Sequence, residues 1–336
     1  MLSIPRPQKE HLKEYVDLVL LAIKGRMLKN SSTYFDNNVF SDQLLEEILS
    51  AEPENMMDIN TKVMGLLIPD YDPDKFEEFL KIRSKSTQSD SDKNFLEEHS
   101  VYNAYQDVPK LFDYNAIISR NKKNSYYLAA KIGRNTCTYC NRLYTNTITG
   151  IGAPPRPEQQ PQLPIVKHVA RAQFDHWFSK SRYPLLALSY YNLIPSCGIC
   201  NQIKSDKNFQ LDTHFHPYAE NQLERFTFNY RHQDLKTLNV KIDSATSRIA
   251  ANIKELKIEE AYDVHSPLEL RDLLDLRYKY PDNYISKLLK STLPDLPLSP
   301  SEAKRLIFGI EEDPKNYHQR PFSKFKNDIL GRLENE

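Results

Sequence analysis

The feature that most constrains this chain is a pair of Cys-x-x-Cys turns, Cys137–Cys140 and Cys197–Cys200, which together use every cysteine in the sequence. The opening stretch MLSIPRPQKEHLK lacks the charged-then-apolar order of a secretory leader. The longest apolar run, within Val16–Ile23, falls far short of the ~20 residues of a membrane span. The expectation is a cytoplasmic protein with no membrane partner. A reducing compartment disfavours disulfides, so paired cysteines there point to metal or redox chemistry. Two such turns supply four thiolates with the tetrahedral geometry of a closed structural zinc site. Neither pair sits in the βαβ setting of a thioredoxin-like redox pair, and the repeated spacing argues against unpaired buried thiols. The 56 residues between the pairs exceed the ~15–20 of compact zinc modules. Two knuckles clamping an inserted subdomain suit that spacing better than a zinc ribbon.

Charge is segregated around these turns. Lysines plus arginines and aspartates plus glutamates number 45 each over the 336 residues, giving a formal net charge of zero. Residues 1–115 hold 13 basic and 21 acidic residues, whereas 116–205 hold 12 basic and only two acidic, Glu158 and Asp175. Residues 206–336 are again near balance. A polyanionic partner is the simplest reason to concentrate positive charge in the block that carries the motif.

The pattern predicts an α+β protein, mostly helical, in three regions: an acidic helical segment 1–115, a cysteine-bearing core 116–218, and a hairpin followed by helices over 219–336. Leu12, Tyr15, Val16, Val19, Leu20, Ile23 and Met27 recur at helical spacing. Ser41 and Asp72-Pro73 read as helix starts, and Gly133 as a left-handed helix end. Ser84–Asn94 has no apolar residue and reads as a surface loop or linker. Five prolines between Gly150 and Pro164 exclude helix or central strand. Arg225–Tyr230 and Leu238–Ile242 read as a hairpin. Ser266-Pro-Leu-Glu269 and Ser299-Pro-Ser-Glu302 read as capping boxes. His214 and His216 alternate as on a strand and are expected to be structural; His168 is ambiguous.

The densest chemistry lies between Phe174 and Lys204: FDHWFSKSRYPLLALSYYNLIPSCGICNQIK. Singly, an Asp-His pair reads as a surface turn and an Asn followed by Lys as a solvated helix end. Together and in order, bracketed by cysteine pairs, Asp175-His176, Asn192 and Asn201-x-x-Lys204 resemble the HNH, or ββα-metal, nuclease motif. That resemblance covers roughly Cys137–Lys204. It implies a ββα core in which Asp175 and Asn201 bind one divalent cation, Mg2+ or Mn2+. His176 is then the general base, Asn192 orients the catalytic loop, and Lys204 reaches a phosphate. The family's last motif position is His in many members and Asn here. Arg171, Lys180 and Arg182 flank the pair as candidate backbone contacts, with solubility as the competing reading. The wider pattern CTYCNR, FDHWF…SC..CN..K, HPY and RPFSKFKNDIL resembles HNH proteins of bacterial anti-phage defence, of the Septu and retron-associated type that works beside an ATPase.

The expectation is therefore an HNH endonuclease hydrolysing phosphodiester bonds, with double-stranded DNA as partner. The chemistry suits these residue types: an imidazole can take a proton from water near neutral pH, and a hard cation offsets charge on the leaving oxygen. The alternatives are an HNH ribonuclease and a catalytically silent, zinc-clamped nucleic-acid-binding scaffold. Comparing nucleic-acid cleavage by wild type and His176→Ala separates them.

Overall fold

Ser41 accepts a hydrogen bond from the Leu44 amide and Asp72 accepts from Asp74 and Lys75, so two of the expected helix starts form as their capping chemistry dictates. The computed structural model describes residues 2–29, 39–151, 166–219, 226–234, 237–287 and 298–335. The proline-rich stretch 152–164 lies outside them. The N-terminal region is helical: α1 (Lys9–Met27), α2 (Asp42–Ser50), α3 (Met56–Leu67), α4 (Pro73–Arg83), α5 (Asp90–Glu98), α6 (Val108–Leu111) and α7 (Lys122–Ile132). Tyr15, Val16, Val19 and Ile23 form the buried stripe of α1. Gly133 ends α7 with a φ of 65°, a conformation in which a side chain is strained.

Two expectations fail here. Ser84–Asn94 is not a loop throughout: Ser89 and Asp92 form a reciprocal capping box that opens α5. That helix buries none of its residues, so no apolar stripe announces it, and Lys85 ties down Asp92 at 2.7 Å. Ser266, by contrast, opens no capping box. Its hydroxyl donates to the Leu238 carbonyl at 2.6 Å, and residues Ser266–Leu270 wind as a single π turn. The matching box at Ser299 does form.

Among the described residues the strands lie in three separate antiparallel pairs: β1 (Ile148–Ile151) with β2 (Val166–Ala170), β3 (Gln173–His176) with β4 (Leu193–Ser196), and β5 (Phe226–His232) with β6 (Leu238–Ser244). Helix α8 (Gly198–Lys204) follows β4 directly. The C-terminal helices are α9 (Ser247–Glu255), α10 (Ile258–Asp263), α11 (Arg271–Lys279), α12 (Asp282–Lys287), α13 (Pro300–Phe308) and α14 (Ser323–Asn335). The chain is thus mostly helical and of the α+β class. One continuous apolar core runs through all three sequence regions, from Ile4 through Leu128, Trp177 and Leu186 to Tyr262 and Leu330. No helix among the described residues is long and apolar enough to cross a membrane.

Candidate functional site

The site is organised by β3, β4 and α8. In register, Asp175 faces Ile194 and His176 faces Leu193, and α8 begins two residues after β4 ends. The connection between the strands, residues 177–192, reaches the surface only at 180–183. Leu185, Leu186 and Leu188 are fully buried, so apolar burial draws the loop into the core.

Asn192 fixes this loop. It is fully buried; its Oδ1 accepts from the Phe178 amide at 2.7 Å, and its Nδ2 donates to the carbonyls of Phe178 at 3.0 Å and Leu186 at 2.9 Å. The loop in turn presents the Ala187 carbonyl to His176 Nε2 at 3.0 Å. A carbonyl only accepts, so Nε2 carries the proton and Nδ1 keeps its lone pair. Burial pushes the His176 pKa down to about 3, with Lys180 and Lys204 adding repulsion, so the ring is neutral at ordinary pH. The edge of Tyr114 packs against it, centroids 4.5 Å apart. Elements far away in sequence brace the loop: Tyr15 of α1 donates to Leu188 O at 2.8 Å, and Ser189 donates to Ile48 O of α2 at 2.6 Å.

Asp175 is buried, and burial raises its pKa to about 6 against the opposing pull of Lys204 and Tyr139. Tyr139 donates to its Oδ2 at 2.6 Å, and Lys204 Nζ lies 3.5 Å from the same oxygen. Asn201 donates to Gln173 Oε1 at 2.9 Å, which leaves its own Oδ1 without a protein partner among the described residues.

A groove of about 720 Å³ opens over these groups and is lined by Asp175, His176, Asn201, Arg171 and Lys180 together with Lys122, Tyr114, Tyr126 and Gln173. Lys180 is exposed and lies over the Tyr114 ring at 5.2 Å. Arg171 donates to the carbonyls of Ala172 and Ser119 and covers Phe174. Lys122, Tyr126 and Gln173 carry no signal in the sequence; only the fold brings them to the groove.

Two of the expected contacts are placed elsewhere. Lys204 is fully buried and does not line the groove: its Nζ donates to the His176 carbonyl at 2.7 Å and sits over the Phe209 ring at 5.0 Å. The face of α8 that bears Lys204 turns inward. Arg182 is paired with Glu77 of α4 and is not among the groove residues. His214 and His216 are buried in irregular chain and not on a strand. His214 stacks on Phe209, and His216 packs against Trp177. His168, on β2, packs against Tyr126.

The four cysteines do converge. All are buried and free of disulfides, with sulfurs within 4.8 Å of one another; Cys140 and Cys197 Sγ are 4.0 Å apart. Zinc–sulfur bonds of about 2.3 Å at tetrahedral angles put sulfurs about 3.8 Å apart, so the cluster fits such an ion. Amides of Arg142 and Cys200 point at Cys140 and Cys197 sulfur at 3.4 and 3.5 Å, as donors to thiolates do. Among the described residues this is the one group of three or more Cys, His, Asp or Glu placed to hold a metal. Asp175 and Asn201 both line the groove, Asp175 with Oδ2 facing Tyr139 and Lys204 and Asn201 with its Oδ1 free of protein partners among the described residues.

Comparison of the chain with protein-family models, with curated proteins and with solved structures gives no match.

Proposed function

We propose that this chain is a divalent-metal-dependent endonuclease of the HNH type, built on a ββα-metal core, with a structural zinc ion in its four-cysteine cluster and duplex DNA as substrate. One observation carries the reading. The unit β3–loop–β4–α8 brings Asp175, His176 and Asn201 to one groove that Lys122, Arg171, Lys180 and Asp206 also line, with the free lone pair on His176 Nδ1.

In this reading His176 Nδ1 takes the proton of the attacking water. Burial keeps the ring in the neutral form that a base requires, and a phosphate arriving in the groove raises its affinity for the proton. Asn192 holds the carbonyl that fixes the imidazole tautomer by closing the loop on which Ala187 sits. Lys122, Arg171 and Lys180 line the groove as cations for backbone phosphates. Asp175 and Asn201 would hold a Mg2+ or Mn2+ ion, which would offset charge on the departing 3′ oxygen, and the ends expected are 5′-phosphate and 3′-hydroxyl. The sequence resemblance extends the proposal to bacterial anti-phage defence beside an ATPase partner.

Nicking of supercoiled plasmid and cleavage of a labelled RNA, each with Mg2+ or Mn2+, test this directly. Wild type is expected to nick DNA, and His176→Ala to lose about 10²–10⁴-fold in rate with its zinc content unchanged. Equal cleavage by the two proteins removes His176 from the chemistry. RNA cut in preference to DNA replaces the substrate.

A further inference from the structure

One oxygen of Asp175 receives a donor from each half of the cysteine cluster. Tyr139 lies inside the first Cys-x-x-Cys turn and donates its hydroxyl proton to Oδ2 at 2.6 Å. Lys204 lies four residues beyond Cys200 on α8, and its Nζ approaches the same Oδ2 at 3.5 Å while donating to the His176 carbonyl at 2.7 Å. Neither side chain is exposed, and neither lines the groove. A buried ammonium is costly to keep unless it is paired and hydrogen-bonded. Its two polar contacts fall on the Asp-His pair itself.

We propose that Tyr139 and Lys204 are positioning residues: they fix the rotation of the Asp175 carboxylate and the main chain of His176, and so set the affinity of the groove for a divalent cation. The inference rests on the reading of Asp175 as a metal ligand. A carboxylate held by two donors on one oxygen cannot turn freely about its Cβ–Cγ bond, so its orientation is set before a cation arrives. The outer partners of metal ligands typically tune metal affinity by about 10–100-fold. Because both donors stand on the cysteine scaffold, the geometry of the groove and the integrity of that cluster become one property.

The test uses the full-length, zinc-loaded protein and follows Mn2+ binding by electron paramagnetic resonance alongside DNA nicking. Tyr139→Phe keeps the packed ring and removes only the hydroxyl. It is expected to weaken Mn2+ binding about 10-fold and to lower kcat with KM for DNA unchanged, at unaltered zinc content and with the native circular dichroism retained. Lys204→Met is expected to act in the same direction, and the double variant to lose less than the product of the two, since both act on one oxygen. If Lys204→Met does not fold, Tyr139→Phe alone decides. Wild-type Mn2+ affinity in Tyr139→Phe overturns the positioning role while the nuclease reading stands, provided wild type outpaces His176→Ala. A wild type that binds no Mn2+ overturns both.

Discussion

Asn192 and Phe178 clasp one another across the strand-connecting loop: the Phe178 amide donates to the Asn192 side-chain oxygen at 2.7 Å, and the Asn192 amide returns a bond to the Phe178 carbonyl at 3.0 Å. With the further bond to Leu186, the side chain closes three hydrogen bonds inside a dry core. Asn192→Ala leaves those main-chain groups unpaired, and each such loss costs about 1–3 kcal/mol. Destabilisation of several kcal/mol is expected in urea unfolding monitored at Trp177. Asn192→Asp is expected to be at least as harmful, since it sets a carboxylate oxygen against two carbonyls. Near-native stability in either variant contradicts the clasp.

Removal of metal from the cysteine cluster is expected to loosen the site scaffold and not the whole chain equally. Four buried thiolates with sulfurs within 4.8 Å of one another need a cation to persist in the interior. Elemental analysis is expected to give one zinc per chain. Strong chelation or Cys137→Ser is expected to abolish the near-ultraviolet dichroism of Trp177, whose segment leads out of β3, before the helical signal is lost. Zinc-free protein with intact tertiary signals counts against a structural ion.

His216 supplies a pH dependence with a definite sign. Burial among Trp177, Phe178 and Tyr218 lowers its pKa from 6.5 to about 3. The unfolded chain therefore binds this proton below about pH 6.5 while the folded chain does not until about pH 3, so this stabilisation is complete above 6.5 and lost as pH falls through that window. One such group contributes a slope of up to about 1.4 kcal/mol per pH unit. His216→Gln is expected to flatten stability between pH 6 and 4 relative to wild type. Parallel curves exclude the assignment.

The cations near the site divide by their surroundings. Lys180→Ala and Lys122→Ala are expected to weaken DNA binding and to shallow its salt dependence by about one counterion each. Arg182→Ala, whose guanidinium is engaged by Glu77 away from the groove, is expected to leave that slope unchanged. Fluorescence anisotropy across a salt series measures all three, and an Arg182 effect as large as that of Lys180 reverses the division.

Local chemistry was legible in the sequence, and its spatial consequences were not. Ser41, Asp72 and Ser299 cap helices as expected because a cap needs only neighbours within three residues. The gathering of Cys137, Cys140, Cys197 and Cys200 could be anticipated because the repeated short turn is itself half of a ligand set. Lys204 was misplaced because spacing alone does not reveal which face of a short helix turns inward. Tyr139 and Gln173 were passed over since their partners, Asp175 and Asn201, lie 36 and 28 residues away. The one available cue for Tyr139 was its place inside CTYC, where a side chain between two ligands has little freedom to leave.

The cysteine turn is also where distant parts of the chain meet. The Leu2 amide donates to Thr138 O and the Phe322 amide to Asn141 O, both at 2.8 Å. The Asn141 side chain donates to Tyr317 O at 2.9 Å and Arg320 O at 3.2 Å. This gives the molecule a calendar. Translation at about 5–20 residues per second separates Asn141 from Phe322 by roughly 10–40 s, during which the turn lacks the bonds that Tyr317, Arg320 and Phe322 make to it. The frame of the first cysteine turn is thus completed late, and a chain still short of Tyr317–Phe322 carries Cys137 and Cys140 without these bonds.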